Sequence, residues 1–117
     1  MSGTNPSNSP WNVTSGVTAL ATTVSTQIVD AVAAARHFVT GIELWNNSAV
    51  TTFVSLLDDT TVIWTGVLPA VSATQPLVPV IATGLDGIVG TPNKKLNIKC
   101  ATVSAALTYN IQGYDAP

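Results

Sequence analysis

Charge is what this sequence has least of. Lys and Arg number four and Asp and Glu six in 117 residues, so charged side chains make up 9% of the chain, against about 25% in an ordinary soluble domain. So few ionisable groups leave little from which to build an acid–base pair or a ligand cluster. A formal net charge of −2 exerts no long-range pull on phosphates. The basic residues are Lys94, Lys95 and Lys99, with Arg36 apart. A nucleic-acid binder would carry a basic stripe interleaved with aromatics, so this composition excludes nucleic acid as the main partner.

Other absences narrow the field further. Cys100 is the sole cysteine, so no internal disulfide can form. No apolar run reaches the ~18 residues that a membrane-spanning helix needs, and a membrane partner is not expected. The first ten residues lack the basic and apolar regions of an export signal; the expectation is a soluble protein made in a cytoplasm. Zinc-ligand spacing, a phosphate loop with its lysine and a nucleophile elbow are all missing. No cofactor and no metal are expected, and the chain does not read as an enzyme.

Three ionisable positions still need a reading. His37 is the sole histidine; beside Arg36 at the start of a strand, it reads as a surface or interface residue, ahead of a general base. Cys100 alternates with Leu96 and Ile98, which makes it a small buried hydrophobe. Asp58-Asp59 lacks further oxygen donors at calcium-loop spacing and reads as a hairpin connection.

What the chain does contain is β-sheet material. Hydrophobic residues make up 46%, and Thr, Ser and Asn fill most polar positions, a mix that suits pleated strands with uncharged outer faces. A chain of this length makes one domain. Val17 to Val24 reads as an edge strand and Gln27 to Ala31 as a second, with Val32 to Ala35 as a turn. From His37 to Asn46 the alternation puts Phe38, Thr40, Ile42 and Leu44 on one face and Val39, Gly41, Glu43 and Trp45 on the other. Thr51–Leu57 and Thr61–Thr65 flank the Asp58-Asp59-Thr60 turn. Pro76 to Ile81 is extended, and its two prolines confine it to an edge. Glycines punctuate a loop from Gly84 to Pro92, and Leu96–Cys100 and Leu107–Gln112 alternate cleanly. The fold expected is an all-β antiparallel sandwich of seven or eight strands. Its expected core includes Phe38, Ile42, Leu44, Leu96, Ile98, Leu107, Tyr109 and Ile111.

Residues 1–16 stand apart from the 17–117 sandwich. Ser2 to Pro10 holds no apolar side chain, and Trp11 and Val13 follow. This segment reads as an extended N-terminal arm that leaves the sandwich and lies on another subunit, with Trp11 as its anchor. The competing reading is that Trp11 caps the chain's own sandwich. Trp45, on the face opposite Ile42 and Leu44, is either a partner-facing anchor or core of a sheet covered on both sides. Trp11, Val13 and Trp45 are the expected partner-binding residues, and deletion of 1–16 is expected to leave a folded domain.

Several stretches resemble a known class. Arg36 to Ser48, with its aromatic strand running into Asn46-Asn47-Ser48, is similar to small virion proteins of tailed bacteriophages. So are Leu56 to Ala70, the Pro76-Leu77 step and the closing Gly113-Tyr114. The family is that of jelly-roll decoration (cement) proteins, and the resemblance covers about residues 26 to 114. It implies a jelly-roll topology and a structural protein on the outside of the head, located in the virion. The partners it implies are the major capsid protein and copies of the chain itself in a homo-oligomer. Two alternatives remain: a small head- or tail-fibre component that binds a host surface, and a carbohydrate-binding module with Trp45 or Trp64 as stacking platform.

Overall fold

The computed structural model describes residues 9–16, 23–74, 76–77, 79–101 and 106–117. Among them it shows eight strands and no helix: β1 Ser9–Thr14, β2 Thr26–Val29, β3 Arg36–Asn46, β4 Thr52–Asp58, β5 Thr61–Leu68, β6 Val80–Thr83, β7 Leu96–Cys100 and β8 Leu107–Ala116. They form two four-stranded antiparallel sheets, in the orders β1-β8-β3-β6 and β2-β7-β4-β5. Two antiparallel sheets sharing one core make a β-sandwich.

The core is the inner face of both sheets. Val39, Ile42 and Leu44 of β3 and Leu107, Tyr109 and Ile111 of β8 come from one. Val54 and Leu56 of β4, Leu68 of β5, and Leu96, Ile98 and Cys100 of β7 come from the other. Every residue of the expected core is buried except one. Phe38 is the exception, and its reason is a β-bulge. The pairing of β3 with β8 shifts between Val39 and Gly41, so Thr40 is an extra residue and the phase of β3 inverts there. Before the bulge His37 and Val39 point inward; after it Ile42, Leu44 and Asn46 do. Phe38 is therefore turned outward, where its ring stacks on Tyr114 with centroids 4.8 Å apart.

The extended arm expected over residues 1–16 is corrected at Ser9–Thr14. These residues form β1 and pair in continuous register with β8, from Ser9 opposite Asp115 to Thr14 opposite Asn110. The physical reason is that the segment is itself a strand whose alternate residues, Trp11 and Val13, pack against the core. The sandwich thus begins before residue 17. Residues 1–8 of the expected arm, and 17–22 of the expected Val17–Val24 strand, lie outside the described residues.

Loops close the ends of the sheets. Asp59-Thr60 makes a two-residue connection between β4 and β5, with Asp59 at φ 57°. The Asp58 carboxylate accepts from the Thr91 N–H at 3.1 Å and from its hydroxyl at 2.8 Å, tying that hairpin to the glycine-punctuated loop. The same loop lies along β3: Leu85 and Gly90 donate to the carbonyls of Thr40 and His37, and Val39 donates to Ile88. Asn46 closes the far end of β3, donating to the carbonyls of Val50 and Pro69 and accepting from Ser48.

Candidate functional site

The described residues with chemistry to offer converge at one end of the first sheet. His37, Asp115 and Trp11 sit on three adjacent strands, β3, β8 and β1, all facing inward. Asp115 is the hub. Its Oδ1 accepts from the indole Nε1 of Trp11 at 2.9 Å and lies 2.5 Å from His37 Nδ1. The Trp11 and His37 rings meet edge to face at 6.2 Å.

This arrangement corrects two expectations. His37 is 1% exposed, so it is neither a surface nor an interface residue. Trp11 is bound into its own sandwich, because Gly113 opposite it leaves room for the indole: a Cβ there would stand 2.6 Å from Trp11 Cζ2. Val13, directly opposite Ile111, packs on the same core. Both Trp11 and Val13 are half-buried. A histidine–carboxylate pair can serve catalysis when the outer ring nitrogen reaches a nucleophile or substrate. Here Nε2 of His37 is buried with no hydrogen-bond partner among the described residues. The trio pins three strands together.

Beside it lies a cavity of about 360 Å³ lined by Ser9, the turn from Val32 to Ala35, Asp115 and Pro117. Its walls are mostly methyl groups, with the Asp115 carboxylate as the charged group among them. Elsewhere the described residues hold no group of three or more His, Cys, Asp or Glu that could hold a metal ion. Burial pushes the Cys100 thiol and the Tyr109 phenol above their ordinary pKa values.

The outer faces carry the remaining features. Trp45 points outward from β3, opposite Thr108, and is half-buried. Around it on that face are Glu43, which accepts from Asn110 Nδ2 at 2.9 Å, and Ile81 of β6, which is opposite Glu43 and 58% exposed. Trp64 faces the other way. It packs on the core over Gly66 and is half-buried. On the outside of the second sheet Phe53 and Val67 stand directly opposite each other, each 48% exposed, with Val62 at 53% further along β5.

Sequence reasoning missed Asp115, because a lone acid in a C-terminal strand carries no signal until the sheet order sets it between His37 and Trp11. It also missed Phe53, Val62 and Val67. Their signal was there: Thr61 to Leu68 runs eight residues without a charge.

Comparison with known proteins finds no matching family, no matching curated protein and no matching solved structure.

Proposed function

We propose that this protein is a structural subunit that works by contact, a decoration protein bound to the outside of a bacteriophage head, and that it is not an enzyme. The observation that carries the reading is that both sheets turn apolar side chains outward: Ile81 with Trp45 on one, Phe53, Val62 and Val67 on the other. An isolated domain gains nothing from such placement, whereas an assembly subunit buries these side chains against neighbours. The scarcity of charge supports it, since a weakly charged surface associates readily.

The strand orders β1-β8-β3-β6 and β2-β7-β4-β5 support the finer reading of the fold as a jelly roll, an eight-stranded double sheet common in viral capsid proteins. In this reading the capsid-facing surface is the outer face of β3 and β6, centred on Trp45. The decoration family that residues 26 to 114 resemble supplies the partner, the major capsid protein.

The test is cosedimentation of the purified chain with heads of the virus whose genome encodes it. Saturable binding is expected, weakened about tenfold or more by Trp45→Ala together with Ile81→Ala. Absence of binding to heads overturns the decoration reading. A second reading has one observation behind it: Trp45 sits outward beside the Glu43–Asn110 pair, an aromatic with polar neighbours such as a sugar ring would stack on. Glycan binding that shifts Trp45 fluorescence, with no head binding, would favour it.

A further inference from the structure

Among the described residues the two sheets have four edges, and three are blunted in ways that oppose strand addition. β1 carries Pro10 as its second residue. β2 is four residues long and its register breaks between Gln27 and Val29. β6 is also four residues long and follows Pro79. Short strands, prolines and bulges are the usual means by which an edge refuses a partner. β5 is different. It spans eight residues, Thr61–Leu68, with no charge and no proline within it, and Pro69 follows it. Among the described residues β4 is the only strand paired to it.

The direction of its main-chain groups follows from the neighbouring strands. Ala101 N–H donates to the Phe53 carbonyl at 2.8 Å, so Phe53 and, by the pleat, Ser55 turn their main-chain groups toward β7. Thr52, Val54 and Leu56 then face β5 and bond their opposites Leu68, Gly66 and Trp64. The main-chain groups of Thr65 and Val67 are left pointing out of the sheet. An open row of donors and acceptors needs a strand to match it. The β5 bulge at Ile63 lies to one side and leaves Trp64–Leu68 regular.

We infer that β5 is a self-pairing edge, through which two copies of this chain join antiparallel about a two-fold axis near Gly66. The inference rests on the reading of the protein as an assembly subunit and names one of its contacts. A second copy fits for three reasons. An isologous contact sets the same segment of each copy against itself, residue i against j and j against i, and an uncharged strand meets itself without repulsion although the chain is negative overall. The axis places Thr65 against the partner's Val67 and Val67 against the partner's Thr65, completing the free main-chain groups of both. The outward side chain of Val67, 48% exposed, gains a cross-strand neighbour in the partner's Thr65 as the sheet extends from four strands to eight.

The experiment is sedimentation velocity on the full chain, with amide hydrogen exchange at high and low protein concentration. A species of twice 12.0 kDa is expected, with the Thr65 and Val67 amides protected at high concentration and exposed on dilution. Thr65→Pro removes a donor only from the outer edge, and Val67→Lys sets two like charges close to the axis. Each is expected to weaken self-association about tenfold or more while leaving the thermal transition of the monomer in place. A monomer at every concentration overturns the inference, as does a dimer indifferent to both variants or one whose Thr65 and Val67 amides exchange freely. Head binding by a chain that stays monomeric sinks this contact and spares the decoration reading. A β5 dimer that ignores heads does the reverse.

Discussion

At the scale of single residues, the Trp11–Asp115–His37 trio separates two roles that a tryptophan near a chain end can play. If Trp11 were held for a partner, its loss would cost binding and leave the monomer's stability alone. The indole instead donates to a buried carboxylate and packs on the core, so its loss falls on folding. Trp11→Phe keeps most of the ring and deletes the donor, and should cost about 1–2 kcal/mol in urea unfolding. Trp11→Ala removes the ring as well and should cost about 3 kcal/mol or more. Two variants with wild-type midpoints would return Trp11 to the partner-binding role. Cys100 and Tyr109 yield a pH prediction. Burial raises both groups above their ordinary values of 9.0 and 10.0, so the folded state holds these protons more tightly than the unfolded one. The sign follows: their contribution is complete below those values and is lost as pH rises through the folded-state values. Thermal midpoints should therefore fall on the alkaline side, and Tyr109→Phe should flatten the part of the fall that starts near pH 10.0. Cys100 should label slowly with a thiol reagent in the native protein, because burial limits access as well as thiolate.

At the scale of strands, what was legible in the sequence is what period-two alternation encodes. Leu96, Ile98 and Cys100, and Leu107, Tyr109 and Ile111, alternate through regular pairing, and all six are buried. Alternation fails at Phe38 because the register shift between Val39 and Gly41 leaves no mark in the residue types; Thr40 is as ordinary in a strand as in a bulge. The same strand is read correctly after the bulge and inverted before it, which is what one inserted residue does to a two-residue period. His37 was misread for the same reason, since its inward phase follows Val39 and not Ile42. Gly113 lies opposite Val39 at this point and gives an element-level prediction. A Cβ there would overlap the Phe38 carbonyl, which is backbone and cannot rotate away, and would press on the Trp11 ring. Gly113→Ala should therefore force β3 and β1 away from β8 and cost about 2–4 kcal/mol in chemical denaturation. A wild-type midpoint for Gly113→Ala would mean that the three strands do not approach as closely as this.

At the scale of the whole molecule, the question is where the folded unit starts. Composition argued for residue 17, because Ser2 to Pro10 has nothing apolar to bury and a single Trp in a polar stretch looks like bait for a partner. That argument weighs side chains and neglects the backbone: β1 joins the sheet through its main chain, which any sequence supplies, and two inward side chains suffice to orient it. The two views part on truncation. Deleting residues 1–16 removes the whole of β1 with its ladder to β8, uncovers the inner face that Trp11 and Val13 close, and leaves the Asp115–His37 pair without its indole donor. The indole alone is worth about 3 kcal/mol or more, against a total of about 5–15 kcal/mol for a domain. The truncated chain should thus lose most of its stability, bind a hydrophobic dye at ambient temperature and expose β8 as a long new edge prone to association. Deleting residues 1–8 instead keeps β1 and the Trp11 bond, and should retain a cooperative thermal transition. If the 1–16 deletion melts like the full chain, β1 is a passenger on the sandwich and Trp11 is free to serve a neighbour. If it collapses while the 1–8 deletion holds, the working surface of this protein lies on the outer faces and on β5, away from the segment that its composition singled out.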